Sequence, residues 1–375
     1  MSAPHLMFVV TEDWYFASHR LGLAMAAQTA GYRVSVVTRV QDHGGAIAAA
    51  GVQIIDWRHK RGGLNPWRAL TSLGALMRIY RSERPDIVHH VALEPALLGS
   101  VAARLTAVPR VINAVAGMGW LYASRDSLAA SLRPVIRWTL SMLFRQPGVF
   151  VVVQNPDDEQ LVARLGVPAD RLERVPGSGV DLSLFPSCPE PADGLPVVVL
   201  PARLLIDKGV NEFVEAVRLL RARGVALRAV LAGAPDPLNR ASISGATIEG
   251  WVRDGVVEHL GWVQDMPALF ASSHIVCLPS YREGLPKALL EAAAAARPIV
   301  TTDVPGCRSV VRDGDNGVLV PARDAAALAH ALQRLIESRE LRVRMGQRGR
   351  ERAEREWASP VVVEQMLKFH ARVLR

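Results

Sequence analysis

Short apolar runs alternate with amphipathic segments along nearly the whole chain, and they do so in two successive series. The first series of candidate strands is His5–Val10, Arg33–Thr38, Val52–Trp57, Asp86–Val91, Arg110–Val115 and Val149–Val153. Between them, His19–Ala30, Pro66–Glu83 and Pro95–Thr106 carry apolar residues at helical spacing. Parallel strands need a long crossover, usually a helix, so strand–helix–strand at this spacing predicts βαβ units and a parallel sheet. A second series runs Val197–Leu200, Leu227–Ala232, Val257–Leu260, His274–Leu278, Pro298–Thr302 and Gly317–Val320. Asp324–Glu337 opens on an Asp and reads as a capped helix. With 375 residues the chain is long enough for two domains, at roughly 100–200 residues each. The Pro-rich stretch Pro186–Pro196 is the expected linker. The predicted fold class is α/β, two doubly wound domains with a cleft between them. Ligands in such sheets bind beyond the carboxyl ends of the strands.

Composition removes several alternatives. The chain is 50% hydrophobic, too apolar to remain disordered. No run of 18 uncharged apolar residues occurs. The longest apolar stretch, Ser131–Val153, is broken by Arg133, Arg137 and Arg145. Met1–His5 has no basic n-region, and Leu6–Val10 reads as a strand rather than a signal peptide. Cys188, Cys277 and Cys307 form neither a metal spacing nor a disulfide framework, which fits a reducing cytosol. The net charge of +8 is concentrated: Trp14–Arg145 holds 16 Lys+Arg against 6 Asp+Glu. A basic first half implies an anionic partner, or else an Arg-rich soluble surface. No aromatic-rich nucleic-acid motif accompanies it, so nucleic acid is not expected.

Two loops carry the chemistry. The first is Ser280-Tyr281-Arg282-Glu283-Gly284-Leu285-Pro286-Lys287, which follows a strand and enters a helix near Leu285. Pro286 suits a first helical turn, whose free N–H groups form an anion site, and Gly284 lets a phosphate approach. Glu291 follows Glu283 by eight residues, two turns further on. Carboxylates accept paired hydroxyls, so the pair suits a ribose or a sugar ring. Two solvated surface glutamates is the competing reading. The second loop is Pro201–Gly209, where Arg203 offers a fork and Lys208 a point charge, a pair suited to a diphosphate. A solvated basic loop is the alternative there.

Arg203-x4-Lys208 and Glu283-x7-Glu291, with Gly284-Leu285-Pro286 between the glutamates, resemble the donor site of the retaining nucleotide-sugar glycosyltransferases of family four, which have the GT-B fold. Val175–Asp181, Asp303–Gly306 and Asp313–Gly317 agree with it. Thr11–Arg20, Pro85–Leu98 and Val111–Gly119 resemble the branch that builds undecaprenyl-diphosphate-linked bacterial glycans, N-acetylgalactosaminyltransferases among them. The resemblance implies that Arg203 and Lys208 hold the donor diphosphate, Glu291 the ribose and Glu283 the transferred sugar. Gly284 and Leu285 would offer backbone N–H groups, and Trp262 and Val263 would lie near the base. It implies a UDP-sugar donor, a polyprenyl-diphosphate-linked acceptor, no cofactor and no metal. It also implies a last helix, Val361–Leu374, returning to the first domain. The expected domains are residues 1–185 with 360–375, and residues 186–359.

The chain departs from the family in two places. Trp14–Arg20 replaces a Gly-Gly loop, and there His19 and Arg20, at a helix start, would meet a diphosphate or a phosphorylated acceptor, or else solvent. Ala116 stands where many relatives carry a His, ahead of Gly117. Glu94 stands where the branch often has Lys, either facing the cleft or as a helix N-terminal charge. The resemblance implies front-face substitution with retention, which the missing His fits. The basic amphipathic segment Ser127–Phe144 would lie on an anionic membrane, or else pack on the core with its arginines outward. A nucleotide-sugar epimerase and a non-catalytic binding module remain open on the same fold. A dinucleotide site is disfavoured, because Tyr122 replaces the third glycine after Gly117-Met118-Gly119 and residue 139 is Thr.

Overall fold

The computed structural model describes residues 3–59, 66–115, 127–237, 239 and 241–375. Gly117, with residues 116–126 around it, lies outside them. The chain divides into two compact units, Met1–Ser178 with Val362–Arg375, and Gly179–Val361.

Unit 1 is built on seven parallel strands: β1 (His5–Glu12), β2 (Arg33–Arg39), β3 (Gln53–Asp56), β4 (Ile87–Val91), β5 (Arg110–Ala114), β6 (Val149–Val153) and β7 (Leu172–Arg174). Their order is β3-β2-β1-β4-β5-β6-β7, so the winding direction reverses between β1 and β4. Phe8 pairs with Val36 on one side and with His89 on the other. Alternate residues of β1 go to opposite faces. Leu6, Phe8 and Val10 pack with Met366 and Phe369 of the Ser359–Leu374 helix, while Met7 and Val9 pack with Leu76 and Tyr80 of the Pro66–Glu83 helix. Each such buried side chain contributes about 1.5–3 kcal/mol. Helices on both faces explain why the strands read as continuous apolar runs.

Buried histidines lie on both faces of this sheet. His89 stacks on Phe8 with ring centroids 5.0 Å apart, and its Nδ1 is 3.2 Å from Nε2 of His370 on the C-terminal helix. His90, pointing the other way, meets Asn113 Oδ1 at 2.8 Å and the Tyr80 hydroxyl at 2.9 Å. Burial holds all three neutral: it pushes His90 down to about 4 and, with Arg20 adding to it, His370 down to about 3. His89 is also lowered well, by burial first and then by His370 and Arg20. The unfolded chain, with histidines near ~6.5, therefore binds protons first as pH falls. Stability is held above that value and drains away toward pH 3–4, by up to about 1.4 kcal/mol per pH unit per histidine. A melting series from pH 7.5 to 5 is expected to fall steeply, and more gently in His370→Leu. Parallel slopes for the two proteins would count against this account.

Unit 2 has six parallel strands: β8 (Val197–Pro201), β9 (Arg228–Ala232), β10 (Glu258–Gly261), β11 (Ile275–Leu278), β12 (Ile299–Thr302) and β13 (Gly317–Val320). The order β10-β9-β8-β11-β12-β13 places its reversal between β8 and β11. Val198 and Leu200 pack with Phe213, Val217 and Leu220 of the Val210–Ala222 helix. Val199 packs on the opposite face with Phe270 and Ala292. Asp324 caps its helix through Oδ1, 2.8 Å from the Ala327 N–H. The Pro-rich stretch lies within unit 2 and is anchored there. Buried Arg297 donates to the carbonyls of Cys188 and Pro189, and Glu190 accepts from Arg342 at 2.8 and 2.9 Å and from Arg339 at 3.2 Å.

Candidate active site

In a doubly wound sheet the crevice opens where the strand order reverses, at the carboxyl ends of the two diverging strands. In unit 2 that places the loop after β8 beside the loop after β11. The first loop carries Arg203, then a tight turn at Ile206–Lys208, then Gly209, which starts the Val210–Ala222 helix. Gly209 has φ +72°, and a Cβ there would lie 2.1 Å from the Pro279 carbonyl oxygen. Only glycine combines that backbone conformation with so close an approach of two loops. The Tyr281 N–H donates to the Asp207 carbonyl at 2.9 Å, and Arg282 Nη2 donates to Asp207 Oδ2 at 2.7 Å. The two loops are thus stitched side by side.

The stitching brings Lys208 and Glu283 into contact, Nζ to Oε1 at 2.5 Å. Ser280 Oγ donates to the same oxygen at 2.8 Å, and Thr302 Oγ1 in turn holds the Ser280 carbonyl. Behind them, a Cβ on Gly306 would lie 2.5 Å from the Gly284 carbonyl oxygen, so a glycine there lets the Pro305–Val310 helix back the Glu283–Gly284 peptide. Arg203 pairs with Asp236, on the loop after β9, at 2.7 Å. Each of the two cations therefore has one carboxylate partner in place.

Glu291 lies inside the Lys287–Ala294 helix, 8% exposed, with Lys287 Nζ 3.6 Å away. Burial pushes its carboxyl above the ordinary range, and Lys287 pulls it part of the way back. The helix starts at Lys287, with Pro286 as its extended cap residue, later than the sequence indicates. Gly284 and Leu285 consequently precede the helix; Leu285 packs against the unit 2 core. Trp262 follows edge strand β10 and is 74% exposed, while its neighbour Val263 packs on the core.

Of the residues expected on the acceptor side, His19, Arg20 and Glu94 lie in unit 1, in the segments that follow β1 and β4, where that sheet reverses, while Gly117 lies outside the described residues. Here the local reading of the sequence needs correcting. A helix spans Asp13–His19, so His19 ends one helix and Arg20 precedes the next, Leu21–Thr29. Asp13, buried at the start of that helix, ties it to the segment after β2: its Oδ2 accepts from the backbone N–H groups of Gln41 and His43 at 2.6 and 3.0 Å. His19 stacks on Tyr15, with ring centroids 4.2 Å apart. Arg20 is only 4% exposed and donates Nη1 to the Gly177 carbonyl at 3.2 Å. No carboxylate pairs with it among the described residues. Glu94 lies in the first turn of the Leu93–Leu105 helix, 2.8 Å from His59 Nε2. His59 itself stacks on Trp57. Reading the sequence assigned no role to Asp13, Asp236 or His59, each of which acts through a partner distant in the chain that no local pattern marks. Ser280 lay inside the quoted loop, three residues from its partner Glu283, without its part being read.

Two doubly wound α/β units, one with Arg203, Lys208 and Glu283 on the loops at its switch point and Glu291 on the helix that follows, place the chain in the GT-B class of enzymes. Residues 195–338 match the family described as "Glycosyl transferases group 1", and residues 5–145 match "Glycosyl transferase 4-like". Together these cover about three quarters of the chain, which belongs to the glycosyltransferases. The chain is 26% identical over 337 residues, 87% of each sequence, to the N,N'-diacetylbacillosaminyl-diphospho-undecaprenol alpha-1,3-N-acetylgalactosaminyltransferase of Campylobacter jejuni. It is also 26% identical to the Escherichia coli UDP-Gal:alpha-D-GlcNAc-diphosphoundecaprenol alpha-1,3-galactosyltransferase, over 73% of this chain and 72% of that one. In fold it resembles sucrose-phosphate synthase from Thermosynechococcus elongatus (TM-score 0.80, 20% identity, 99% of both chains). It resembles Anabaena HepE, solved in complex with UDP, as well (TM-score 0.78, 14% identity, 98% of this chain and 99% of that one).

Proposed function

We propose that the protein is a retaining glycosyltransferase that moves a hexosamine from a UDP-sugar to a polyprenyl-diphosphate-linked saccharide in bacterial envelope glycan synthesis. The observation that carries this reading is the Lys208–Glu283 contact at the β8/β11 switch point. The names of the Campylobacter and Escherichia relatives supply the acceptor class.

In this reading Lys208 and Arg203 turn from their carboxylates to the donor diphosphate and neutralise the charge that grows there as it leaves. Glu283, released from Lys208, accepts hydroxyls of the transferred sugar, and Glu291 accepts those of the ribose. The backbone N–H groups of Gly284 and Leu285 lie toward the phosphates or the sugar, and Trp262 with Val263 lies near the base. The bond from the sugar's anomeric carbon to the diphosphate oxygen breaks. A bond to the acceptor hydroxyl forms on the same face, and the departing oxygen takes the hydroxyl proton. No strong protein base is required. His19, Arg20, Glu94 and Gly117 form the acceptor side, where the buried charge of Arg20 favours a diphosphate.

The Ser127–Phe144 helix supports a place at the membrane surface. Leu140, Leu143 and Phe144 are buried in the core, yet Val135, Trp138 and Met142 are exposed beside Arg137 and Arg145. A second apolar stripe between exposed arginines suits the headgroup boundary of anionic lipid. No helix among the described residues is long and apolar enough to cross a membrane.

The test is transfer from UDP- and GDP-hexosamines to a polyprenyl-diphosphate saccharide on anionic vesicles. Transfer from the UDP-sugar with retained anomeric configuration, by protein that floats with the vesicles at low salt and not at high salt, is the expected result. An inverted product would overturn the mechanism, exclusive use of the GDP-sugar the donor, and salt-indifferent failure to float the membrane surface.

A further inference from the structure

The two site loops are joined at one further point, on the side of the Val210–Ala222 helix. The Tyr281 hydroxyl donates to Glu212 Oε1 at 2.6 Å. Glu212 sits one turn past Lys208 in the chain, and Tyr281 two residues before Glu283. Tyr281 is the sole hydrogen-bond partner of the Glu212 carboxylate among the described residues, and Oε2 is buried without one. Above the Tyr281 ring lies the Arg323 guanidinium, 4.5 Å from the centroid. Arg323 reaches this place with φ +66°, a backbone conformation that a non-glycine residue seldom holds without a contact to fix it. Glu212 and Arg323 line one cavity of about 340 Å³ with Asn211, Arg218 and Trp251.

We propose that Tyr281 and Glu212 are positioning residues for sugar transfer: their hydrogen bond clamps the turn bearing Lys208 to the loop bearing Glu283, so that both groups meet the departing diphosphate and the sugar together. The proposal rests on the function proposed above. Neither residue touches substrate in it. The phenol suits the task, because burial and the adjacent carboxylate raise it above its ordinary value and keep it a donor. A half-buried carboxylate whose Oε2 is already sealed without a partner depends on the Tyr281 hydroxyl for its one hydrogen bond among the described residues.

The test compares Tyr281→Phe, Glu212→Ala, Glu212→Gln and the Tyr281→Phe/Glu212→Ala double variant by hydrogen exchange at the Tyr281 amide and by steady-state kinetics. Tyr281→Phe keeps the ring under Arg323, and Glu212→Gln keeps an acceptor for the hydroxyl. The expected result for Tyr281→Phe and for Glu212→Ala is exchange about tenfold faster and kcat about tenfold lower, with donor KM within about twofold, because misplaced groups cost transition-state rather than ground-state contacts. Glu212→Gln stays near wild type, and the double variant is no worse than either single. Wild-type exchange in Tyr281→Phe, a Glu212→Gln as impaired as Glu212→Ala, or additive losses in the double variant would overturn the clamp. A wild-type protein that transfers no sugar would instead overturn the function, and the exchange data would still decide on the clamp.

Discussion

Lys208→Ala and Glu283→Ala are each expected to lower sugar transfer by at least about 10²–10³-fold, roughly 2.7–4 kcal/mol, the usual loss when one preorganised group facing developing charge is removed. The stability cost is smaller and can be weighed separately. The two side chains are 22% and 11% exposed, so their pair is partly screened, and in Lys208→Ala the Ser280 hydroxyl still holds Glu283. Leaving one partly buried partner short of a hydrogen bond costs about 1–3 kcal/mol. The fold should therefore survive while turnover is lost, as circular dichroism and the transfer assay would show side by side. Lys208→Arg is not a safe control, because a planar fork does not replace a compact ammonium. Near-wild-type turnover in either alanine variant would remove the donor site from unit 2.

Gly209→Ala is the second large effect, and it acts on stability and activity together. The added methyl group would lie 2.1 Å from the Pro279 carbonyl oxygen and 2.7 Å from its carbon, both backbone atoms. No side chain can rotate to relieve the clash. The φ of +72° adds strain of about 1–2 kcal/mol for a residue with a Cβ, and forced overpacking adds about 1–3 kcal/mol. A total of about 2–5 kcal/mol lowers the melting temperature by about 4–20 °C for a unit of this size. The two loops that must separate carry Lys208 and Glu283, so transfer is expected to fall as well. Gly224 is the internal control: its φ is +78°, yet nothing lies within 4 Å of its Cβ position, so Gly224→Ala bears the backbone strain alone. Equal melting shifts for the two variants would contradict the close approach of the loops.

Sheet composition and the two loops that carry Arg203, Lys208 and Glu283 are legible in the sequence because both rest on local periodicity. A helix between every pair of strands forces a parallel sheet, and the apolar runs of β8 and β11 mark where the Arg203–Lys208 and Glu283–Gly284 loops begin. What local pattern does not encode was missed. The edge strand β7 is Leu-Glu-Arg, three residues without a buried run. The Asp13–His19 helix begins directly at the end of β1, with no side-chain cap to announce it. Glu190 sits among prolines and reads as linker, yet Arg342, 152 residues later, holds it within unit 2. Asp236 could be matched to Arg203 only once the order β9-β8 was known. Arg20 reads as a phosphate contact or as an exposed cation, and nothing local announces its burial or its hydrogen bond to the Gly177 carbonyl, 157 residues later.

The most direct measurement is the structure of this protein with UDP bound. The account predicts diphosphate oxygens within hydrogen-bonding distance of Lys208 and Arg203, ribose hydroxyls on the Glu291 carboxylate, and Glu283 parted from Lys208 to face the sugar position. A diphosphate seated away from the β8 and β11 loops, with the Lys208–Glu283 pair still closed, would contradict it.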